Sequence, residues 1–272
     1  MNLKYILGLL ISLPLLPIMY FQGKKIRTRV PSLPEASGTE GESIFKNTHK
    51  PTINLLTIGE STIAGVGVDS HEKGFTGSLA QTLGSIYQTN VKWKVYAKSG
   101  YTAAKVAHKI IPKITEANIN LIVVGLGGND AFTLNTPSKW KKDIITLIAE
   151  LKNKFPAVYI VFCNMPPIKE FPAFTPIIKF TIGNLVEILG EELHKLTIDD
   201  QQVFYFGKKI TLKDWVDRLG TGVKSSDFFS DGVHPSTLTY QTWGMELAKA
   251  IQLEKKTENA FPFHPSGSTN RN

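Results

Sequence analysis

From Thr52 onward the chain alternates two kinds of apolar pattern, and that alternation limits the folds open to it. Strand-length runs, INLLTI (53 to 58), VKWKVYA (91 to 97), INLIVVGLG (119 to 127), AVYIVFC (157 to 163) and VFYFG (203 to 207), come one after another. Between them, stretches near 74–88, 102–116, 137–154 and 176–196 carry apolar residues at helical spacing, and 237–255 closes the series as a further helix. Strand, helix, strand repeated this often predicts an open, mostly parallel, five-stranded α/β sheet with helices on both faces. In such sheets function collects at the carboxyl ends of the strands.

A chain of 272 residues with 42% hydrophobic content can bury one sizeable core. The expected organisation is an N-terminal membrane anchor or signal-like segment at 1–22, a basic linker rich in Pro and Gly at 23–51, one domain at 52–255 and a loose tail at 256–272. The stretch YILGLLISLPLLPIMYF (5 to 21) has no charge and runs directly into Lys24, Lys25, Arg27 and Arg29. It is short for a bilayer span and is interrupted by Pro14 and Pro17, so a cleaved signal competes with an anchor. No small-x-small cleavage site follows closely, which favours an uncleaved anchor. The charge excess after the segment favours the cytoplasmic side for the body by the positive-inside bias, with a helix lying in the membrane interface as the alternative.

The net charge of +8 is partly this basic flank, and alone it is no sign of nucleic-acid binding. The single Cys163 lies in an apolar run and reads as a buried thiol. The six histidines are scattered without HxxxH spacing, so no protein metal site is expected, and no cofactor motif is present.

Ser61 stands just past the first expected strand, in GESTIAGVG. A phosphate cradle needs GK[ST] or GxGxxG, and this stretch has neither. The nucleophile elbow GxSxG fails as well, because Ile63 holds the place of the second glycine. Taken alone, the serine is most simply a helix cap. Elsewhere, FFSDGVHPS sets Asp231 three residues before His234 in a loop ahead of the last helix, so one turn lets the carboxylate hold the imidazole. A serine hydroxyl becomes a nucleophile when a base takes its proton and a third group orients that base. VVGLGGNDAF runs a strand into Gly127, Gly128, Asn129 and Asp130, where a side-chain amide beside backbone N–H groups suits an oxyanion. AKSGYTA adds Gly100, whose bare backbone can approach a ligand. Each block also has a plain turn reading.

Together the blocks Gly59-Glu60-Ser61, Ser99-Gly100, Gly127-Gly128-Asn129-Asp130 and Asp231-Gly232-Val233-His234 resemble, in order, those of the SGNH or GDSL-type hydrolase family, over about residues 52 to 255. The resemblance implies a flavodoxin-like three-layer α/β/α domain. It further implies Ser61 as nucleophile, His234 as general base and Asp231 as its partner, with an oxyanion hole of the Ser61 and Gly100 N–H groups and the Asn129 amide. One departure stands out: the family's usual GDS is GES here, with Glu60 in the acid's place. The expected substrate is a small-molecule or lipid ester, with the membrane as a further partner and nucleic acid excluded. An acyltransferase on the same site and a non-catalytic, membrane-anchored binding module remain alternatives, and no oligomeric state is legible.

His108 and His194 read as surface or boundary residues of amphipathic helices, and His71 with Glu72 as a solvated loop in preference to a pocket lining. MPPIKEFPAF (165 to 174) reads as a connecting loop or a pocket wall, and Trp93, Trp140 and Trp243 as core.

Overall fold

The structure, a computed structural model, describes residues 3–220 and 222–254; the expected tail at 256–272 lies outside the described residues. In chain order the elements are α1 (Leu3–Ser12), a 3-10 turn, α2 (Leu16–Arg29), β1 (Glu40–Ser43), β2 (Ile53–Gly59), α3 (Phe75–Tyr87), β3 (Val91–Ala97) and α4 (Ala103–Lys109). There follow β4 (Leu121–Gly125), α5 (Gly128–Phe132), α6 (Pro137–Lys154), β5 (Tyr159–Phe162), α7 (Pro176–Thr197), β6 (Val203–Tyr205), α8 (Leu212–Leu219) and α9 (Thr237–Leu253).

The strands form one sheet in the order β1-β3-β2-β4-β5-β6, with every pair parallel except β1 with β3. Counted from β2, this is the doubly wound order 2-1-3-4-5. Successive strand side chains alternate between two cores. Leu56, Ile58, Ile122, Val124, Ile160 and Phe162 face α4, α6 and α7, whereas Leu55, Trp93, Leu121, Val123 and Val161 face α3, α8 and α9. Both faces are covered at β4 and β5, which is why LIVVG and YIVF read as unbroken apolar runs, whereas β3 alternates Lys92 and Lys94 with Val91, Trp93 and Val95.

Local chemistry places the helix starts. Thr102, Thr136, Thr175, Thr211 and Ser236 each accept a bond at the N-terminus of α4, α6, α7, α8 and α9 from the backbone N–H of Lys105, Lys139, Ile178, Asp214 and Thr239. Pro137 and Pro176 follow two of these caps, where a missing N–H costs nothing. α3 and α9 approach closely at Gly244, where an added Cβ would lie 2.8 Å from Phe75 O and 2.9 Å from Leu79 N. That contact seats α9, and with it the loop before α9, against the helix that follows the Ser61 turn.

The sheet has six strands rather than the five expected. The sixth, β1, is EGES, drawn from the stretch read as linker; it has no apolar residue to signal a strand and joins by backbone pairing, with Gly41 set against the Trp93 ring. The preceding residues are also held, by Ala36 N to Ala64 O (2.9 Å), Ser37 N to Asp69 O (3.0 Å) and His71 N to Ser37 O (2.9 Å). The helix expected over 102–116 closes early and gives way to a 3-10 turn at Ile111–Lys113, because Pro112 has no N–H to continue it.

Leu3–Arg29 is a near-continuous helical stretch of 27 residues, long and apolar enough by composition to cross a membrane, a property that signal sequences share. None of its residues is buried. One side nevertheless lies along α7, where Lys4 pairs with Glu191 at 2.6 Å and Thr175 Oγ1 donates to Gln22 Oε1 at 2.6 Å. The partner face comes from Ile182, Leu185 and Ile188, which carry the apolar surface of α7 outward.

Candidate functional site

The chain leaves β2 for β3 on one side and crosses to β4 on the other, so a crevice opens past the ends of β2 and β4. Gly59 and Gly125 face each other there. A Cβ on Gly59 would collide with Gly125 O, and Ile63 covers both glycines at 2.6 Å from either would-be Cβ. Beyond Gly59 the backbone makes a single tight turn, tied by Glu60 N to Gly125 O (3.1 Å), Ala64 N to Glu60 O (2.8 Å) and Val66 N to Ser61 O (3.1 Å). Ser61 is the half-buried residue at the start of that turn.

Glu60 points the other way. Its Oε1 accepts from Gly128 N at 2.8 Å and its Oε2 from Asn129 N at 2.9 Å, clamping the first turn of α5 to the end of β2. Burial drives its pKa from 4.5 up to about 7, outweighing the two N–H donors that favour the charged form. Asn129 Nδ2 donates one hydrogen to Tyr101 O at 3.0 Å, and the amide has a second to offer. Tyr101 closes the turn after β3 through its N–H to Lys98 O at 3.2 Å, and Lys98 N is anchored to Gly59 O at 3.1 Å. At the tip is Gly100, exposed, at φ +79°, with open space where a side chain would stand. Its N–H has no partner among the described residues.

His234 Nδ1 and Asp231 Oδ2 are 2.7 Å apart, and Asp231 Oδ1 accepts from the N–H of Val233 (2.9 Å) and of His234 itself (2.7 Å). The Asp231 side chain is 0% exposed and that of His234 24%. Burial opposes charge on Asp231, yet the bonds from His234 and Val233 hold its carboxyl below the usual range. With Nδ1 committed, Nε2 is left for the rim.

The loops of Ser61 and His234 pack on one another. A Cβ on Gly67 would strike Pro235 O and lie 2.5 Å from Ser230 Oγ, and Tyr240 of α9 donates to Val66 O at 2.8 Å. No hydrogen bond joins Ser61 Oγ to His234 among the described residues; such bonds often tighten only with substrate in place. Asp231 is thus bonded to His234, and Asn129 to the turn that carries Gly100, while Ser61 follows β2, the strand between those that lead to Gly100 and Asn129.

Asp130, part of the GND block, is buried and points away: it accepts from Ala103 N at 3.0 Å and Asn135 Nδ2 at 2.7 Å. His71 is a correction to the solvated-loop expectation, since it is buried at 3% exposure under Ala36 and Gly65. Its site is closed by residues 36 and 37, whose folding back the sequence did not announce. His108 and His194 are exposed, and Trp93, Trp140, Trp243 and Cys163 are core. Met165, Pro166, Pro167 and Phe171 wall an apolar cavity of about 40 Å3 that reaches Glu60 and Thr62, on either side of the serine. Sequence reasoning missed the clamping role of Glu60. The signal available was an acid that must find donors if buried.

The model of the family described as GDSL-like lipase/acylhydrolase matches residues 57–242. Among solved structures, the chain is similar to the lipase Lip_vut3 from a goat rumen metagenome, at 17% identity and TM-score 0.53 over 75% of this chain and 99% of that one. It is similar also to TesA (18%, TM-score 0.52, 76% and 99%) and to a lipase/acylhydrolase from Enterococcus faecalis (17%, TM-score 0.52, 74% and 95%). At such identities these likenesses speak for the fold. No curated protein sequence matches the chain. With more than half of its length matched, including the β2 turn, the GND turn and the Asp231–His234 loop, the chain belongs to the GDSL-like lipase/acylhydrolase family.

Proposed function

We propose that the chain is a membrane-tethered serine ester hydrolase working through an acyl-enzyme on Ser61. The observation that carries this reading is the Asp231–His234 pair, bonded through Nδ1 and packed against the turn that presents Ser61. Nδ1 bonded to a buried carboxylate carries the proton, so Nε2 is the lone-pair nitrogen and serves as base. Ser61 Oγ attacks the ester carbonyl carbon as its proton passes to His234 Nε2. The carbonyl oxygen becomes an oxyanion facing the N–H groups of Ser61 and Gly100 and the second hydrogen of Asn129 Nδ2. The intermediate collapses, the C–O bond to the alcohol breaks, and His234 returns the proton to the leaving alkoxide. Water, deprotonated by His234, then attacks the acyl-enzyme and releases the acid.

The helical stretch Leu3–Arg29 is the proposed tether, and to enter a bilayer it leaves the face of α7 along which it lies in the fold described above. At 27 residues it rises about 40 Å against a hydrocarbon core of about 30 Å, and Lys24, Lys25, Arg27 and Arg29 suit an acidic headgroup surface. The charge bias keeps the cytoplasmic side as the proposed location of the body. A lipid ester is the substrate class this placement favours.

The test is covalent labelling by a fluorophosphonate together with hydrolysis of chromogenic esters of graded acyl length. Ser61→Ala and His234→Ala should each lose labelling and reduce turnover to background. Undiminished turnover in Ser61→Ala would refute the nucleophile.

A further inference from the structure

The segment after α2, residues 30–39, crosses the carboxyl edge of the sheet, and its one acidic side chain ends beside the proposed oxyanion hole. Glu35 Oε1 accepts from Ser99 N at 2.8 Å and its Oε2 accepts from Lys98 Nζ at 3.0 Å. Glu35 is itself held in place by its neighbours. Ala36 N bonds Ala64 O and Ser37 N bonds Asp69 O, both in the segment that continues from the Ser61 turn. A single residue thus bridges the loop after β2 and the loop after β3.

We propose that Glu35 is a positioning residue of the oxyanion hole, setting the direction of the Gly100 N–H. The inference rests on the serine hydrolase reading above. Gly100 has the left-handed conformation, is exposed, and touches nothing on its outer side. A glycine so placed is free to reorient unless its flanking peptides are tied. On one flank Tyr101 is tied, through its N–H to Lys98 O and its carbonyl to Asn129 Nδ2. On the other, the Ser99 N–H is held by Glu35. The Ser99–Gly100 peptide, whose N–H is the donor, hangs between these two anchors.

A merely adhesive role predicts something different. Lys98 is 56% exposed and Glu35 32%, and an ion pair in water at such exposure adds little stability. Removing the Glu35 carboxylate should therefore leave folding almost unchanged while the donor loses its aim. A misaimed donor costs less than a deleted one and more than a lost surface contact.

The test compares Glu35→Ala and Glu35→Gln in the full chain, by ester hydrolysis, fluorophosphonate labelling and thermal melting. Glu35→Ala should lower kcat about 10- to 100-fold with KM within about twofold and the melting temperature nearly unchanged. Glu35→Gln keeps an oxygen for the Ser99 N–H and should recover most of the turnover. Wild-type kcat in Glu35→Ala, a loss in Glu35→Gln as deep as in Glu35→Ala, or a rise in KM alone overturns the inference. Failure of the underlying reading looks different, because the wild type itself would then not label at Ser61.

Discussion

Glu60 is buried at 4% exposure with both oxygens occupied by backbone N–H donors, and replacing it by glutamine separates two effects that oppose each other. Glu60→Gln keeps one acceptor for Gly128 or Asn129 and turns an NH2 group toward the other, leaving a buried N–H unpaired. That costs about 1 to 3 kcal/mol at any pH. The carboxyl, however, pays for its burial only when charged. Its pKa rises from 4.5 to about 7 on folding, which corresponds to about 3 kcal/mol of differential stability. The sign follows from the direction. A raised acid pKa means the folded state binds the proton more tightly, so this stabilisation is complete below the unfolded value of 4.5 and is lost as pH climbs through about 7. The glutamine has no such loss. The variant should therefore trail the wild type most in acid, and the gap should narrow by about 3 kcal/mol by about pH 8, closing or reversing. Urea unfolding of both proteins from about pH 4 to about pH 9, with slopes compared to confirm two-state behaviour, measures it. A gap that stays constant across that range would refute the claim that burial outweighs the two N–H donors.

Three other outcomes are expected. Asn129→Ala removes an amide donor and the tie to Tyr101 O, and should cost about 10² to 10³ in kcat with folding retained, read by steady-state kinetics and a melt. Gly67→Ala places a Cβ against Pro235 O and Ser230 at φ +106°, and should destabilise by about 1 to 3 kcal/mol and reduce turnover by parting the serine and histidine loops; unchanged melting and activity would show that the loops are not coupled there. The full chain should float with acidic phospholipid vesicles, and Leu10→Asp combined with Leu13→Asp, at about 2.5 to 3.5 kcal/mol per buried charge, should release it.

What the sequence discloses depends on how far apart the partners lie. Strands β4 and β5 were legible because both faces of the sheet are covered there, so LIVVG and YIVF are wholly apolar, and β3 was legible from its alternation of Val91, Trp93 and Val95 with Lys92 and Lys94. The Asp231–His234 bond was legible because three residues suffice to form it. β1 was not, since EGES pairs through backbone alone. Helix α8 was passed over although Leu212, Trp215, Val216 and Leu219 follow helical spacing behind a Thr211 cap, because eight residues between loops give the periodicity little length to show. Glu60 to Gly128 spans 68 positions and Glu35 to Ser99 spans 64, and no local pattern encodes such a pairing.

Those two carboxylates have a common consequence. The proposed hole draws its donors from separate strands: Gly100 follows β3 and Asn129 follows β4, with β2 between them carrying the serine. Donors borne on independent loops stabilise an oxyanion only if they need not reorganise when charge appears. Glu60 ties the Asn129 backbone to the end of β2, and Glu35 ties the Ser99 backbone to the segment that continues from the Ser61 turn, so both proposed donors are referred to the strand that leads to Ser61. The Asn129 amide then joins the two sides through Tyr101 O. The longer side chain at position 60 fits this arrangement, because it spans from the end of β2 to two successive N–H groups of α5. Shortening it by one methylene in Glu60→Asp withdraws the carboxylate from at least one of them. In this chain the GES glutamate suits that alignment, and Glu60→Asp should lower kcat rather than raise it.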